Sequence, residues 1–430
     1  MIILKYGIYL VIFSMPLYLW SFSFFGIPVN FLEMMIYILF MLWLSEKIRR
    51  LKSKKEIFSL IDSFKQYYFS KEYCLLHLGI TLLFLGVIIS TSLSSDLRTS
   101  LGIFKGWFVS PFLFFIVFIN VIKKNEQIIW SLKSWLVSGV VVALISIFYL
   151  LIGEMTFDGR LKALFLSPNY LAMYLAPVLL IIIAFVLSTE KKKKLLNLIM
   201  LIIILVPLYF TFSYGAFLGI FAGILYLIIK NRNLKIRKAY IFAFILILFS
   251  GFIYLSLNKF DQISNFGNRS SFHSRIMIWD TAREIVEDNP LLGIGPGTFQ
   301  ETYLSYANEF SEPYLEWAVP QPHNIFLAFY LQTGIIGFLG FIFILIWLFS
   351  CRDMALSSLK STGSVNYGFE KTYIINALMI YILAHGFVDT TFWKNDLALM
   401  FWIIVGIKFI QTKQYNSLNN ENKSVDNNLN

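Results

Sequence analysis

Hydrophobic positions in this chain do not alternate and do not recur as narrow stripes. They fall in long unbroken runs, at approximately 2–20, 29–44, 75–93, 107–122, 128–152, 170–188, 195–212, 215–229, 239–257, 324–350, 372–388 and 397–410. In hydrocarbon every backbone donor and acceptor must pair within its own segment, so apolar runs of ~20 residues are helices rather than strands. The pattern predicts an all-α polytopic membrane protein with about 12 transmembrane helices. Composition agrees: 58% of residues are hydrophobic and 18% aromatic, against roughly 45–50% apolar in soluble chains. The first run has Lys5 ahead of it and no small-residue cleavage site after it, so it reads as a retained anchor.

Polar positions carry the rest of the argument, and they concentrate in one stretch, 258–322, between the ninth and tenth runs. Loops 45–74, 123–127, 189–194, 230–238 and 351–371 hold 22 of the 36 Lys and Arg residues, and the alternate loops hold nine. The positive-inside rule then puts both termini in the cytoplasm of a bacterial cell and the 258–322 stretch outside the plasma membrane. The expected organisation is 1–257, nine transmembrane helices; 258–322, an extracytoplasmic catalytic loop; 323–413, three more helices; and 414–430, a disordered cytoplasmic tail. A net charge of +11 follows from this topology and the anionic inner leaflet, so nucleic acid is not an expected partner and membrane lipids are.

The outer stretch reverses the balance, with Lys259, Arg269, Arg275 and Arg283 against nine acidic residues. Basic residues kept where orientation disfavours them are candidates for a task. No nucleoside triphosphate is available on that side, so chemistry there requires a substrate that arrives activated. Cys74 and Cys351 sit at cytoplasmic helix ends, which leaves the outer stretch without a disulfide or a thiolate. Within it, SFHSRIMIWDTAREIVEDNP predicts an amphipathic surface helix with Ile276, Trp279, Arg283 and Val286 on one face, an N-cap at Ser271 or Ser274, and a stop at Asn289-Pro290. The following LLGIGPGTF has the glycines of a phosphate cradle but no Lys-Ser/Thr, and reads as a tight turn.

SRIMIWDTAREIVEDNPLLGIGPGTF, followed by HNIFLAFYLQTGIIG, resembles the signature of the bacterial O-antigen ligase and O-antigen polymerase superfamily. GRLKALFLSPNYLAMYLAPVLL resembles the Arg and Pro-Asn segment of that family, and HGFVD at 385–389 its late acidic position. The resemblance implies transfer of a glycan from an undecaprenyl diphosphate carrier to an acceptor hydroxyl outside the plasma membrane. The partners it implies are that lipid-linked glycan, an acceptor glycan or lipid, and other polysaccharide-assembly proteins. A diphosphate leaving group needs fixed cations where negative charge grows, and Arg forks match phosphate oxygens; Arg275 is the candidate. An attacking hydroxyl needs a base, and a His with an unperturbed pKa near ~6.5 suits neutral pH; His323 is the candidate. The resemblance adds Arg160, Asn169, Trp279, Asn324 and Asp389 as substrate-binding candidates. A single displacement inverts the anomeric centre, and no metal or cofactor is expected, consistent with a chain that lacks a His/Cys ligand cluster.

One departure stands out. Where the family has Ser-Arg-Gly-Ala, this chain has Ser213-Tyr214-Gly215-Ala216, so a cation at that point must come from elsewhere, Arg160 or Arg98 being available. Tyr214 tilts the reading toward polymerisation of a surface polysaccharide, and the single large outer stretch tilts it toward ligation. Plain structural readings compete at each residue. Arg275 can pair with Asp280 or Glu284, or bind headgroups; His323 can cap a helix; His273 rivals it as a base; His77 and His385 read as packed residues. Glu33 and Lys133 are charges inside apolar runs, which makes each a functional hypothesis, although Lys133 can snorkel. Gly215, Gly219 and Gly223 share one face suited to close helix packing. The alternative function classes are a transporter or flippase, which would show broken helices and midplane polar groups, and a non-catalytic organiser of other assembly enzymes.

Overall fold

The computed structural model describes residues 2–24, 26–50, 72–188, 191–230, 271–307, 319–351 and 372–429. Among the described residues, six helices are long and apolar enough to cross a membrane: Cys74–Ser92, Leu97–Val121, Asn125–Leu151, Pro168–Val186, Ile325–Ser350 and Asn395–Ser417. Ile2–Phe13, Lys194–Phe210, Tyr214–Lys230 and Tyr373–Gly386 are shorter apolar helices. The run expected at 239–257 lies outside the described residues.

The expected first helix, 2–20, is interrupted. α1 spans Ile2–Phe13, Pro16 then starts a 3₁₀ turn, Met15–Leu19, and the chain turns back as β1, Ser21–Phe24, against β2, Ile27–Asn30. The hairpin is antiparallel with Ser21 opposite Asn30, and Gly26 at φ 76° supplies the left-handed turn residue. Asn30 Oδ1 accepts the Glu33 N–H at 2.9 Å and so opens α2, Phe31–Arg50.

α3, Cys74–Ser92, precedes a span that starts ten residues before the expected 107. Asp96 is the reason: its side chain accepts Thr99 N–H at 3.0 Å and caps α4, Leu97–Ile103. A π-helical segment, Phe104–Val109, connects α4 to α5, Ser110–Val121. Then follow α6, Asn125–Leu151; α7, Pro168–Ser188; α8, Lys191–Phe210; and α9, Tyr214–Lys230. The last helices are α10, Ser271–Asp288; α11, Phe299–Ala307; α12, Ile325–Ser350; α13, Thr372–Gly386; and α14, Asn395–Leu429. The polar stretch 414–430, expected to be disordered, continues α14 as helix through Leu429, with no Gly or Pro beyond Gly406 to stop it.

Small residues let the spans approach closely. A side chain at Gly340 would meet the Gly79 carbonyl at 2.6 Å, which brings α12 against α3 backbone to backbone. Gly219 faces Tyr381 and Gly223 faces Leu180 and Ala377, so the glycine face of α9 packs on α13 and α7 as its spacing suggests. α14 runs through the centre, its apolar window 89% buried.

α10 does not present the expected face. Ile278, Ala282 and Ile285 point inward and form a second small core with Phe299, Tyr303, Val319 and Leu331. Arg283 is instead outward and pairs with Glu287 at 3.2 Å. The helix therefore packs on protein, a partner no spacing rule could name.

α12 is broken at Gly334, which adopts φ 66° and ψ 179°. The glycine turn fills the break: Ile294 N–H donates to the Leu331 carbonyl at 2.7 Å, and Ile335 N–H donates to the Leu291 carbonyl at 3.1 Å. Backbone groups that lose helical partners inside an apolar span must find others, and the turn supplies them. Gly297 N–H is also taken, by Gln332 Oε1 at 2.9 Å. These N–H groups are spent on α12 and do not form an open phosphate cradle. With the break at Pro16 and the π segment, this makes three interrupted apolar runs among the described residues, in a chain whose sequence shows little sign of them.

Candidate functional site

Three segments far apart in sequence converge on Asp389, in the link between α13 and α14. Its side chain is 3% exposed. Oδ1 accepts the Thr390 N–H at 2.9 Å and lies 3.1 Å from His323 Nδ1. Oδ2 accepts Asn169 Nδ2 at 2.9 Å and faces Arg275 Nη2 at 3.9 Å. Arg160 completes the chain, donating from Nη2 to Asn169 Oδ1 at 2.6 Å. Five of the seven predicted site residues thus form one connected network.

The other two hold His323. Trp279, one turn after Arg275 on α10, donates its indole N–H to the Pro322 carbonyl at 3.0 Å. Asn324 caps α12 through Phe326 and Leu327 N–H and donates Nδ2 to the Phe387 carbonyl at 3.0 Å. Between them His323 sits at φ 46°, a left-handed conformation that costs a residue with a Cβ roughly 1–2 kcal/mol. Such strain persists only where neighbours over-determine it, and here it turns the Nδ1 edge onto Asp389 while the side chain stays 31% exposed.

Each cation is anchored through the backbone. Arg275 Nε donates to the Val388 carbonyl at 2.7 Å, beside the residue whose charge it faces. Arg160 Nε donates to the Thr211 carbonyl at 2.8 Å, and Leu161 N–H to the Phe210 carbonyl at 2.8 Å, so the 156–161 turn is tied to the end of α8. This brings Arg160 beside the start of α9, where Tyr214 stands half exposed. Arg98 lines a different cavity, with Glu33 and Lys105.

Electrostatics favour a charged Asp389. Burial alone would push its carboxyl up; the charge and hydrogen bond of His323, with His385 and Arg275, outweigh burial and hold it well below the usual carboxylate range. Arg160 and Arg275 are close enough to repel one another.

His385 is fully buried one turn before Asp389, with Nδ1 on Tyr381 Oη at 2.8 Å, packed as a core histidine. His273 lies on α10, its side chain outside the described residues. Lys133 is exposed over the Trp130 ring at 4.5 Å, as snorkelling implies. Lys394 was not singled out by sequence, although it is one of the basic residues in an outer link. It is buried, 3.3 Å from the centre of the Tyr170 ring and 3.4 Å from Tyr18 Oη. Among the described residues no group of three or more His, Cys, Asp or Glu is placed to hold a metal ion.

Residues 199–342 match the family model described as O-antigen ligase, which bears out the superfamily resemblance. The matched segment contains Arg275, Trp279, His323 and Asn324; Arg160, Asn169 and Asp389 lie outside it and reach it only through the fold. A search of curated proteins found no matching relative. The chain thus combines a segment similar to the O-antigen ligase model with several apolar helices long enough to cross a membrane.

Proposed function

We propose that the protein transfers a glycan from an undecaprenyl diphosphate carrier to an acceptor hydroxyl on the outer face of a bacterial plasma membrane, polymerising or ligating a surface polysaccharide. The observation that carries this reading is the convergence of His323, Arg275, Asn169 and, through Asn169, Arg160 on one buried carboxylate.

In this reading His323 carries its proton on Nδ1, donated to Asp389, and Nε2 presents a lone pair to the acceptor. Asp389 selects that tautomer and steadies the imidazolium that forms, the role a carboxylate plays behind any catalytic His. The acceptor oxygen attacks the anomeric carbon as its proton passes to Nε2. The bond from that carbon to the diphosphate oxygen breaks, and the electron pair leaves with the diphosphate. Attack opposite the leaving group inverts the anomeric centre, and no step requires a metal.

Arg275 and Arg160 receive the growing negative charge. An anion held by both guanidiniums offsets their mutual repulsion, and their bonds to Val388 and Thr211 carbonyls fix them independently of substrate. Arg160 thereby supplies, from another loop, a cation at the turn where Tyr214 stands.

The test is the glycan profile of cells carrying His323→Ala or Arg275→Ala protein at normal membrane levels. Loss of a general base costs about 10²–10⁴-fold in rate, so product should fall to background while the lipid-linked donor accumulates outside. Single repeat units on the usual acceptor identify a polymerase, and full-length chains stranded on the carrier identify a ligase. An unchanged profile in both variants refutes transfer by this site.

A further inference from the structure

A second polar site lies at the same end of the bundle. A cavity of about 330 Å³ opens between the hairpin, the first turn of α2, α4, the π segment and the start of α14. Its floor is a chain of paired groups. Glu33 is only 4% exposed, with Oε2 2.9 Å from Lys105 Nζ and Oε1 accepting Asn395 Nδ2 at 2.9 Å. Asn395 Oδ1 in turn accepts the Trp107 indole N–H at 3.1 Å.

The backbone is shaped around this floor. A Cβ on Gly106 would sit 2.6 Å from Glu33 Oε1 and 3.0 Å from Asn395 Nδ2, so only a glycine leaves room for the pair. Side chains add to the backbone of the π turn: Asn395 Nδ2 donates to the Gly106 carbonyl at 3.2 Å, and Ser110 Oγ joins the Ser110 N–H on the Lys105 carbonyl at 2.9 Å. π turns of this kind concentrate at functional sites. An ion pair whose carboxylate is buried is a weak source of stability because desolvation offsets its attraction, so packing alone gives little reason to build one beside an open cavity.

The chemistry of the walls narrows the ligand. Glu33 neutralises Lys105, which leaves Arg98 as the remaining cation of the lining and makes a poor site for a diphosphate. An acyl chain would strand the charged floor. Carboxylate, ammonium, amide and hydroxyl groups around a small volume suit a ring whose hydroxyls both donate and accept. Asn395 is six residues from Asp389 in the same chain segment, so the two sites are at most about 20 Å apart, within reach of one short oligosaccharide.

We propose that this cavity binds a sugar residue of the glycan whose end is engaged at Asp389, an inference that rests on the transferase reading. The test is equilibrium dialysis of the purified protein with radiolabelled repeat-unit oligosaccharide, released by mild acid from the host's own lipid-linked glycan. Gly102 lines the cavity and a Cβ there meets nothing within 4 Å, so Gly102→Leu adds bulk at the lining from a point that has room for a side chain to start; Glu33→Gln keeps the shape and removes the charge. Both should weaken retention about tenfold or more, which is ~1.4 kcal/mol, whereas His323→Ala should retain the oligosaccharide and lose turnover. Wild-type-like retention in Gly102→Leu overturns the proposal, as does no retention by wild type at millimolar probe. Loss of co-purified phosphatidylglycerol from Gly102→Leu with oligosaccharide retention unchanged assigns the cavity to a lipid headgroup and equally overturns it. Turnover that survives in His323→Ala refutes the role of His323 instead, and absence of turnover by the wild type refutes the transferase reading; the dialysis result stands apart from both.

Discussion

Asp389→Asn isolates the centre of the network with almost no change of shape. The carboxylate accepts on both oxygens, from Thr390 N–H and His323 on one side and from Asn169 Nδ2 on the other. An amide has one acceptor and one donor edge. If its oxygen stays with Thr390 and His323, its NH₂ confronts Asn169 Nδ2 and Arg275, and Asn169 cannot turn over without presenting its own NH₂ to Arg160. If the amide turns the other way, His323 Nδ1 meets a donor and the imidazole shifts its proton to Nε2, the atom that must accept. A buried donor left without an acceptor costs about 1–3 kcal/mol. The lost attraction to Arg275 at 3.9 Å is of order 4 kcal/mol at an effective dielectric constant of about 20, before the desolvation it offsets. We expect a lower melting temperature and, because loss of a correctly held base costs about 10²–10⁴-fold, transfer slowed at least 100-fold. The assay is turnover of lipid-linked donor in proteoliposomes, with a fluorescence-detected melting curve on the same preparation. The double variant Asp389→Asn/His323→Ala should be no slower than the worse single one, since residues that act as a unit are not additive. Turnover within about threefold of wild type, under ~0.7 kcal/mol, would refute the His323–Asp389 mechanism.

Two further outcomes follow from the same geometry. Because Asp389 is held below the usual carboxylate range, its contribution to stability is complete above about pH 4 and is lost as the pH falls toward its folded value; the melting-temperature gap between wild type and Asp389→Asn should therefore narrow below about pH 4, and a gap constant down to pH 2 would contradict this. Gly334→Ala places a Cβ 2.6 Å from the Leu291 carbonyl at φ 66°, and should destabilise by more than the ~1–2 kcal/mol of left-handed strain alone, read as a lower melting temperature with the glycine turn newly open to protease.

The resemblance pointed to each member of the Asp389 network, but the links between them were not legible. Arg275 and His323 stand 48 positions apart, and Asn169 and Asp389 are 220 apart. Local spacing reports which side chains share a face, and no such rule pairs residues from separate helices. The same limit misassigned the face of α10, whose partner core includes Leu331 of α12. Glu33 was visible as a costly charge, yet its partners Lys105 and Asn395 come from two other segments.

What the sequence by itself determined is the medium and the class: runs of apolar residues this long can satisfy their backbones only as helices in lipid, and the order of the Arg, glycine-turn and His-Asn elements carried the superfamily resemblance that the family model supports. What only the tertiary structure decided is which groups meet. It broke the first run at Pro16 and α12 at Gly334, filled that second break with the glycine turn, and gathered two cations, an amide and an imidazole around one buried carboxylate. The physical reason is that helix formation depends on neighbours within a few residues, whereas the pairing of a buried charge depends on every segment that packs against it.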